Sequence, residues 1–271
     1  MTKHIPRLFI SAPSFHPDRV VIDDAEQHHQ LTRVMRIRPG DLLVGLDGGG
    51  LTGGGKEYPL KIMTISKREV VCRYVDESMA YTNGRTAMGE PRVLIRLFQA
   101  LPKQLGKFEE VLRHGTEVGI GEFYPLITHH VEGGVGGKSG RELRKRERME
   151  HILKEAAEQS ERGKIPVLGP EVDFSEVLKH GWPAGLESDV TLMASERERA
   201  FFLWDVAPTL QEKKSINLVV GPEGGFSEQE LKGAQQQGFT LFGLGPRILR
   251  TETAGVAVAS ALLFGTSLGK P

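Results

Sequence analysis

The 271-residue chain, 39% apolar and 26% charged, is long enough for one large core or for two domains. Its 35 Lys and Arg balance 35 Asp and Glu, so the net charge points to no polyanionic partner and only a local excess can. A lone cysteine, Cys72, excludes an internal disulfide and a Cys-ligated zinc. The start, MTKHIPRLFISAP, has no signal-peptide core, and no apolar run approaches the roughly 18 residues of a membrane span, so a soluble protein of the cytoplasm is expected.

Residues 5–76 alternate short apolar runs with turn signals. PRLFI, DLLVGLD, PLKIMTIS and EVVCRYV predict strands, helped by β-branched residues and bounded by Pro, Gly and Asp. One helix is expected at AEQHHQLTRVMRI, with Leu31, Val34 and Met35 spaced to share a face. Residues 1–76 therefore form a small, mostly β domain. The polar stretch from 77 to 90 reads as a linker, and 91–271 as a second domain. There RVLIRLFQA predicts a strand, KFEEVLRHGTEVG a helix and EFYPLIT a strand. A long helix follows, RELRKRERMEHILKEAAEQSER, with a one-sided stripe of Met149, Ile152, Leu153, Ala156, Ala157 and Ser160, ended by Pro166. VLGPEV, DVTLMAS, INLVV and TLFGLG are further strands, and their alternation with helices predicts an α/β sheet with many parallel neighbours.

INLVVGPEGGFSEQEL joins a strand to a helix through Gly-Pro-Glu-Gly-Gly. Ser227 and Glu230 have the spacing of a capping box, Phe226 and Leu231 that of a hydrophobic staple, and Gly238 closes the helix. Ligands of open α/β sheets lie at such carboxyl ends of strands, and glycines there let backbone approach a ligand. A second polar loop, Arg247 to Thr253, follows strand TLFGLG and opens a helix of Ala, Gly, Val, Ser and Leu, small enough to pack closely on a neighbour. Arg250 and Glu252 read either as an ion pair anchoring that helix or as site residues. GGGLTG at 48–53 matches a dinucleotide fingerprint formally, but a turn and strand follow it where a helix is required. His28 and His29 lack a third ligand, so no metal is expected.

The segments QHHQLTRVMRIRPGD (27–41), 101–126, EAAEQSER (155–162), VVGPEGGFSEQE (219–230) and LGPRILRTETA (244–254) together resemble the RsmE family. These are ribosomal RNA small-subunit uridine-N3 methyltransferases of the SPOUT superfamily. The resemblance implies an N-terminal PUA-like β-barrel domain and a C-terminal SPOUT domain tied in a deep trefoil knot, from GPEGG to the final helix. It implies S-adenosylmethionine as cofactor, a 16S rRNA substrate in the small ribosomal subunit, and a homodimer formed through the knotted domain. Carried onto this chain, Gly221, Glu223 and Gly224 line one side of the cofactor. Leu244, Gly245, Ile248 and Leu249, with Pro246 and Thr253, supply the other.

N3–H of uracil is a poor nucleophile, so a base must take the proton or a cation must stabilise the anion. Arg250 is the first candidate for the cation, and Glu223 or Glu252 for the base. RNA contact is expected at two local excesses of positive charge. One is His29, Arg33, Arg36 and Arg38, beside His28. The other is 138–154, seven Lys and Arg against three Glu, with Arg141, Arg144, Lys145 and Arg148, followed by Arg162. Other readings of the same residues are a SPOUT enzyme for tRNA or large-subunit RNA, a non-catalytic RNA-binding protein, and a Rossmann-type nucleotide enzyme.

Overall fold

The computed structural model describes residues 5–48, 55–75, 85–86, 90–130 and 140–265, with the backbone alone at 85–86 and 140–143. Contacts divide the chain into two units, 1–90 with 157–165, and 91–156 with 166–271.

In the first unit, β1 (Arg7–Phe9), β2 (Arg19–Ile22), β3 (Leu42–Leu46), β4 (Lys56–Ile65), β5 (Val70–Tyr74) and β6 (Arg85–Thr86) form one sheet in the order β1-β3-β4-β5-β2, with β6 on β4. Alternation sets its inner face: Val20 and Ile22, then Val70, Cys72 and Tyr74, point into a core with Leu8, Leu31, Leu43, Tyr58 and Leu60. The amide of Asp47 donates to the carbonyl of Lys56 at 3.1 Å and closes the β3–β4 hairpin. Of the formal fingerprint only Gly48 lies among the described residues, and the strand β4 follows it where a dinucleotide site needs a helix.

The predicted helix at 25–37 is shorter than its pattern suggests. Asp24 caps α1 (Ala25–His29) by accepting from the amide of Gln27, but the turn over Gln30–Val34 is a wide π turn. That extra residue rotates the face: Leu31 is buried, while Val34 is 68% exposed and Met35 37%. Arg36, with φ 52°, then ends the turn in the left-handed region.

The expected linker also carries structure, since β6 pairs with β4 and Glu90 holds Arg162. Nε and Nη2 of Arg162 donate to the two Glu90 carboxylate oxygens at 3.2 and 2.7 Å. The amides of Gly163 and Lys164 donate to Glu90 Oε1 as well. Ala157 packs on Phe9 and Leu46, and the Phe9 amide donates to Glu158 Oε1 at 3.0 Å.

The second unit is a seven-stranded, all-parallel sheet in the order β10-β8-β7-β12-β11-β13, with β9 on β8. Its strands are β7 (Leu94–Ala100), β8 (Glu122–Ile127), β9 (Val167–Leu168), β10 (Val172–Asp173), β11 (Val190–Ala194), β12 (Ser215–Val220) and β13 (Thr240–Phe242). The central runs are apolar on both faces, as a parallel sheet covered by helices requires. On one face α4 (Phe174–His180) and α6 (Glu228–Gln236) pack together over a core of Phe98, Tyr124, Met193, Val219 and Phe239. α2 (Leu105–Val118) and α7 (Thr251–Gly265) pack together as a second pair.

The small residues of α7 do what their size predicts. A Cβ placed at Gly255 would lie 3.1 Å from both Leu97 methyl carbons, so the helix backbone sits directly on β7. The long helix is α3 (Gly140–Gln159), and Met149, Ile152, Leu153, Ala156 and Ala157 are its buried stripe. It stops well before Pro166. Glu161 takes φ 59° and the Arg162 amide bonds back to the Ala157 carbonyl at 2.9 Å, which closes the helix end.

Candidate active site

Three loops leave the carboxyl ends of neighbouring strands. Gly221–Phe226 follows β12, Ser195–Arg199 follows β11, and Gly243–Arg250 follows β13. β12 runs to β11's inner side while β13 lies beyond β11, so the chain reverses its direction of travel across the sheet at this point. In open parallel sheets such reversals leave a crevice for ligands.

The first loop is shaped by what glycine lacks. Gly225 turns at φ 70°, its amide bonded to the Pro222 carbonyl at 2.9 Å, and a Cβ there would collide with the carboxylate of Glu196. A Cβ on Gly221 would lie 2.8 Å from the Phe226 ring. The helix beyond is fixed by the predicted capping box: the Ser227 amide donates to Glu230 Oε2 at 2.8 Å, and the Glu230 amide to Ser227 Oγ at 3.2 Å. Glu230 is buried, and its other oxygen accepts from the amide of His129 at the end of β8.

The other two loops are tied to each other. The Ser195 amide donates to the Phe242 carbonyl, and Gly243 exchanges bonds with Phe201 and Leu203 at 2.8 and 3.1 Å. A buried chain links the third loop to the first. Gln99, opposite Val220 at the end of β7, donates from Nε2 to Thr251 Oγ1 at 2.8 Å, and that hydroxyl donates to the Gly221 carbonyl.

The three loops enclose a pocket of about 470 Å³, within the range of small-molecule sites. Much of its wall is backbone, from Gly221, Gly224, Gly225, Gly243 and Gly245.

Its charges are organised around Lys107 of α2. The ammonium lies 3.1 Å from Glu223 Oε1 and 3.7 Å from Glu252 Oε2. Burial alone would push the Glu223 carboxyl up. Its own backbone amide and the Lys107 ammonium outweigh this and hold it below the ordinary carboxylate value. Glu252 is mostly buried, and its Oε2 accepts no hydrogen bond. Arg250 reaches Glu252 Oε1 only at 3.9 Å and its guanidinium is 83% exposed at the mouth.

The structure brings Gly221, Glu223, Gly224, Leu244, Gly245, Ile248, Leu249, Arg250 and Glu252 together in this pocket. Pro246 and Thr253 are exposed and are not among the residues that line the pocket. Sequence reasoning missed Lys107, Gln99, Thr251 as a bridge, and the whole Ser195–Arg199 loop. Its signal was present as SERER directly after a strand.

Among the RNA candidates, His29, Arg33, Arg36 and Arg38 are exposed in the first unit. Arg144 and Arg148 are exposed on α3, and Lys145 is half-buried; the side chain of Arg141 lies outside those described. Arg148 is paired with Glu109 at 2.7 Å. Arg162 is a correction: it is 4% exposed and locked to Glu90, so it anchors the fold and has no guanidinium to offer a phosphate. Among the described residues, no three His, Cys, Asp or Glu side chains are grouped to hold a metal ion, and no helix is long and apolar enough to cross a membrane.

A PUA-like half-barrel and a parallel sheet whose late strands double back around a glycine-walled pocket define the class, a SPOUT-fold protein, and residues 89–263 match the family model described as an RNA methyltransferase domain. More narrowly, the chain belongs to the ribosomal RNA small subunit methyltransferase E family. It is 30% identical over 249 residues to the Bacillus subtilis member, covering 90% of this chain and 89% of that one. With the Synechocystis member it shares 32% over 257 residues, covering 94% and 77%. The crystal structure of the Neisseria gonorrhoeae member bound to S-adenosyl methionine superimposes with a TM-score of 0.78 at 26% identity, covering 96% of this chain and 98% of that one.

Proposed function

We propose that the protein transfers a methyl group from S-adenosylmethionine to N3 of a uridine in 16S rRNA of the small ribosomal subunit. The observation that carries this reading is the convergence of three strand-end loops on one pocket, pinned by Gln99 and Thr251. The residues fit the donor. Backbone at Gly221, Gly224, Leu244 and Gly245 and the apolar side chains of Ile248 and Leu249 suit a nucleoside. The unsatisfied, nearly buried oxygen of Glu252 suits a cationic neighbour.

When bound, S-adenosylmethionine supplies an electrophilic methyl group on a positively charged sulfur. The chain itself must place uracil and manage the N3 proton. Glu223, held ionised and low by Lys107, is a weak base and serves to position Lys107. Glu252 accepts the proton, its Oε2 having no competing hydrogen-bond donor. Arg250, extended at the mouth, stabilises charge developing on the O2/O4 edge of the ring.

The segment from Gly221 through α7 is read as a deep trefoil knot, with a homodimer formed through it. Phe264, 74% exposed near the end of α7, supports such a contact. The first unit, with Arg33, Arg36 and Arg38 exposed, assists in placing the RNA, and the reaction belongs to the cytoplasm.

The test is transfer from labelled S-adenosylmethionine to small subunits from cells lacking the gene, with the product mapped by mass spectrometry. One methyl group on N3 of one uridine is expected. Labelling of tRNA or large-subunit RNA instead would replace the substrate, and cofactor binding without any transfer would favour a non-catalytic RNA-binding role.

A further inference from the structure

We infer that Trp204 is a stacking platform for a base of the RNA strand as it enters the pocket, an inference that rests on the RNA methyltransferase reading. The indole is 60% exposed, yet it is not loosely held. Trp204 is the second residue of α5 (Leu203–Val206), whose cap, Phe202, forms a parallel bridge with Gly243 of the pocket wall. The amide of Gly243 donates to Phe201 and that of Leu203 donates back to Gly243, while the Phe202 amide donates to Asp205 Oδ2 at 2.9 Å. The Phe202 ring stacks on the indole with centroids 4.6 Å apart and planes 21° from parallel. The far edge of the indole lies 3.8 Å from where a Cβ of Gly245 would be, so the ring borders the loop that walls the pocket.

A large aromatic side chain fixed by one stacked neighbour and open to solvent is pre-organised for a planar ligand. Beside it Ile248 is 72% exposed, and Arg199, Arg247 and Arg250 line the same mouth. Exposed aromatic faces interleaved with cations are how single strands are held, bases on rings and phosphates on guanidinium groups. The exposed guanidinium groups beside the ring favour a polyanionic strand as the occupant. The platform therefore addresses a nucleotide flanking the one that is methylated, and it acts on strand placement.

The experiment compares full-length wild type, Trp204→Ala and Trp204→Phe. Trp204→Ala is expected to raise KM for small subunits about tenfold with kcat nearly unchanged, and Trp204→Phe to recover most of the loss. The salt dependence of binding stays the same, because stacking releases no counterions. In a Trp182→Phe background, the remaining tryptophan emission is quenched by a single-stranded RNA of the target sequence. Three results overturn the inference: unchanged KM and unquenched emission; equal loss of S-adenosylmethionine affinity by calorimetry, which would make the ring a brace for the loop at Gly245; or dissociation of an oligomer in sedimentation, which would make it a contact between copies. Failure of wild type to methylate any RNA, with tryptophan quenching retained, would sink the methyl-transfer reading and leave the platform standing.

Discussion

Lys107 Nζ stands 3.1 Å from Glu223 Oε1, joining residues 116 positions apart across the mouth of the pocket. Lys107→Met removes the only cation within 4 Å of both site carboxylates among the described ion pairs. The pair is partly exposed, so unfolding free energy should change by less than about 1 kcal/mol, while turnover falls about tenfold or more as the carboxylates lose their placement. The Glu223 carboxyl is depressed in the folded state, so its contribution is complete above its unfolded pKa and is lost as pH falls through the folded value. The stability difference between wild type and Lys107→Met should accordingly shrink on acidification below the ordinary carboxylate range. Denaturant titrations at several pH values check this, and a difference that grows toward acid would contradict it.

Thr251→Val keeps the shape of the side chain and removes the hydroxyl between Gln99 and Gly221. The Gly221 carbonyl loses its donor, and Gln99 retains only the longer bond to the Ala100 carbonyl at 3.3 Å. A loss of about 1–3 kcal/mol is expected, read as a lower denaturant midpoint at unchanged slope. Cofactor affinity should fall with it, since the first and third loops are no longer pinned.

Arg250→Ala touches nothing that the fold depends on, its guanidinium being 83% exposed. Stability should stay within about 0.5 kcal/mol and cofactor affinity should be retained, while turnover drops about 100-fold. Near-wild-type methylation by this variant would remove Arg250 from the chemistry.

Arg162→Ala separates anchoring from RNA binding. Glu90 is partly exposed and keeps the amides of Gly163 and Lys164, so the loss should be about 1–3 kcal/mol, with no change in the salt slope of RNA binding by the folded fraction. Exposed Arg36→Ala should do the reverse, weakening RNA binding and lowering that slope by about 0.7–0.9 at little cost in stability.

Features written in local chemistry were legible. The Ser227–Glu230 box, the strand before it and the turn at Gly238 are fixed by residues within a few positions of each other. So is the buried stripe of α3. What depended on strand order was not. Lys107 becomes a site residue because β7 is the neighbour of β12, and Ser195–Arg199 becomes a wall because β11 lies between β12 and β13. Arg162 was misread because its partner, Glu90, is 72 residues away, and its own surroundings look like any basic helix end. Val34 and Met35 fit a helical face on paper, and one extra residue in the turn after His29 moved them into solvent.

The claim of the first unit on residues 157–165 has a consequence for biosynthesis. While the protein is being made, residues 1–90 wait without Ala157 against Phe9 and without Arg162 on Glu90 until residues 91–156 have been translated. At bacterial-type elongation of roughly 5–20 residues per second this delay is about 3–13 s, long enough for chaperones to meet an unfinished half-barrel. A fragment ending at residue 90 lacks both contacts and should be less stable than the same unit in the full chain, and a peptide of residues 157–165 supplied in trans should restore part of the difference.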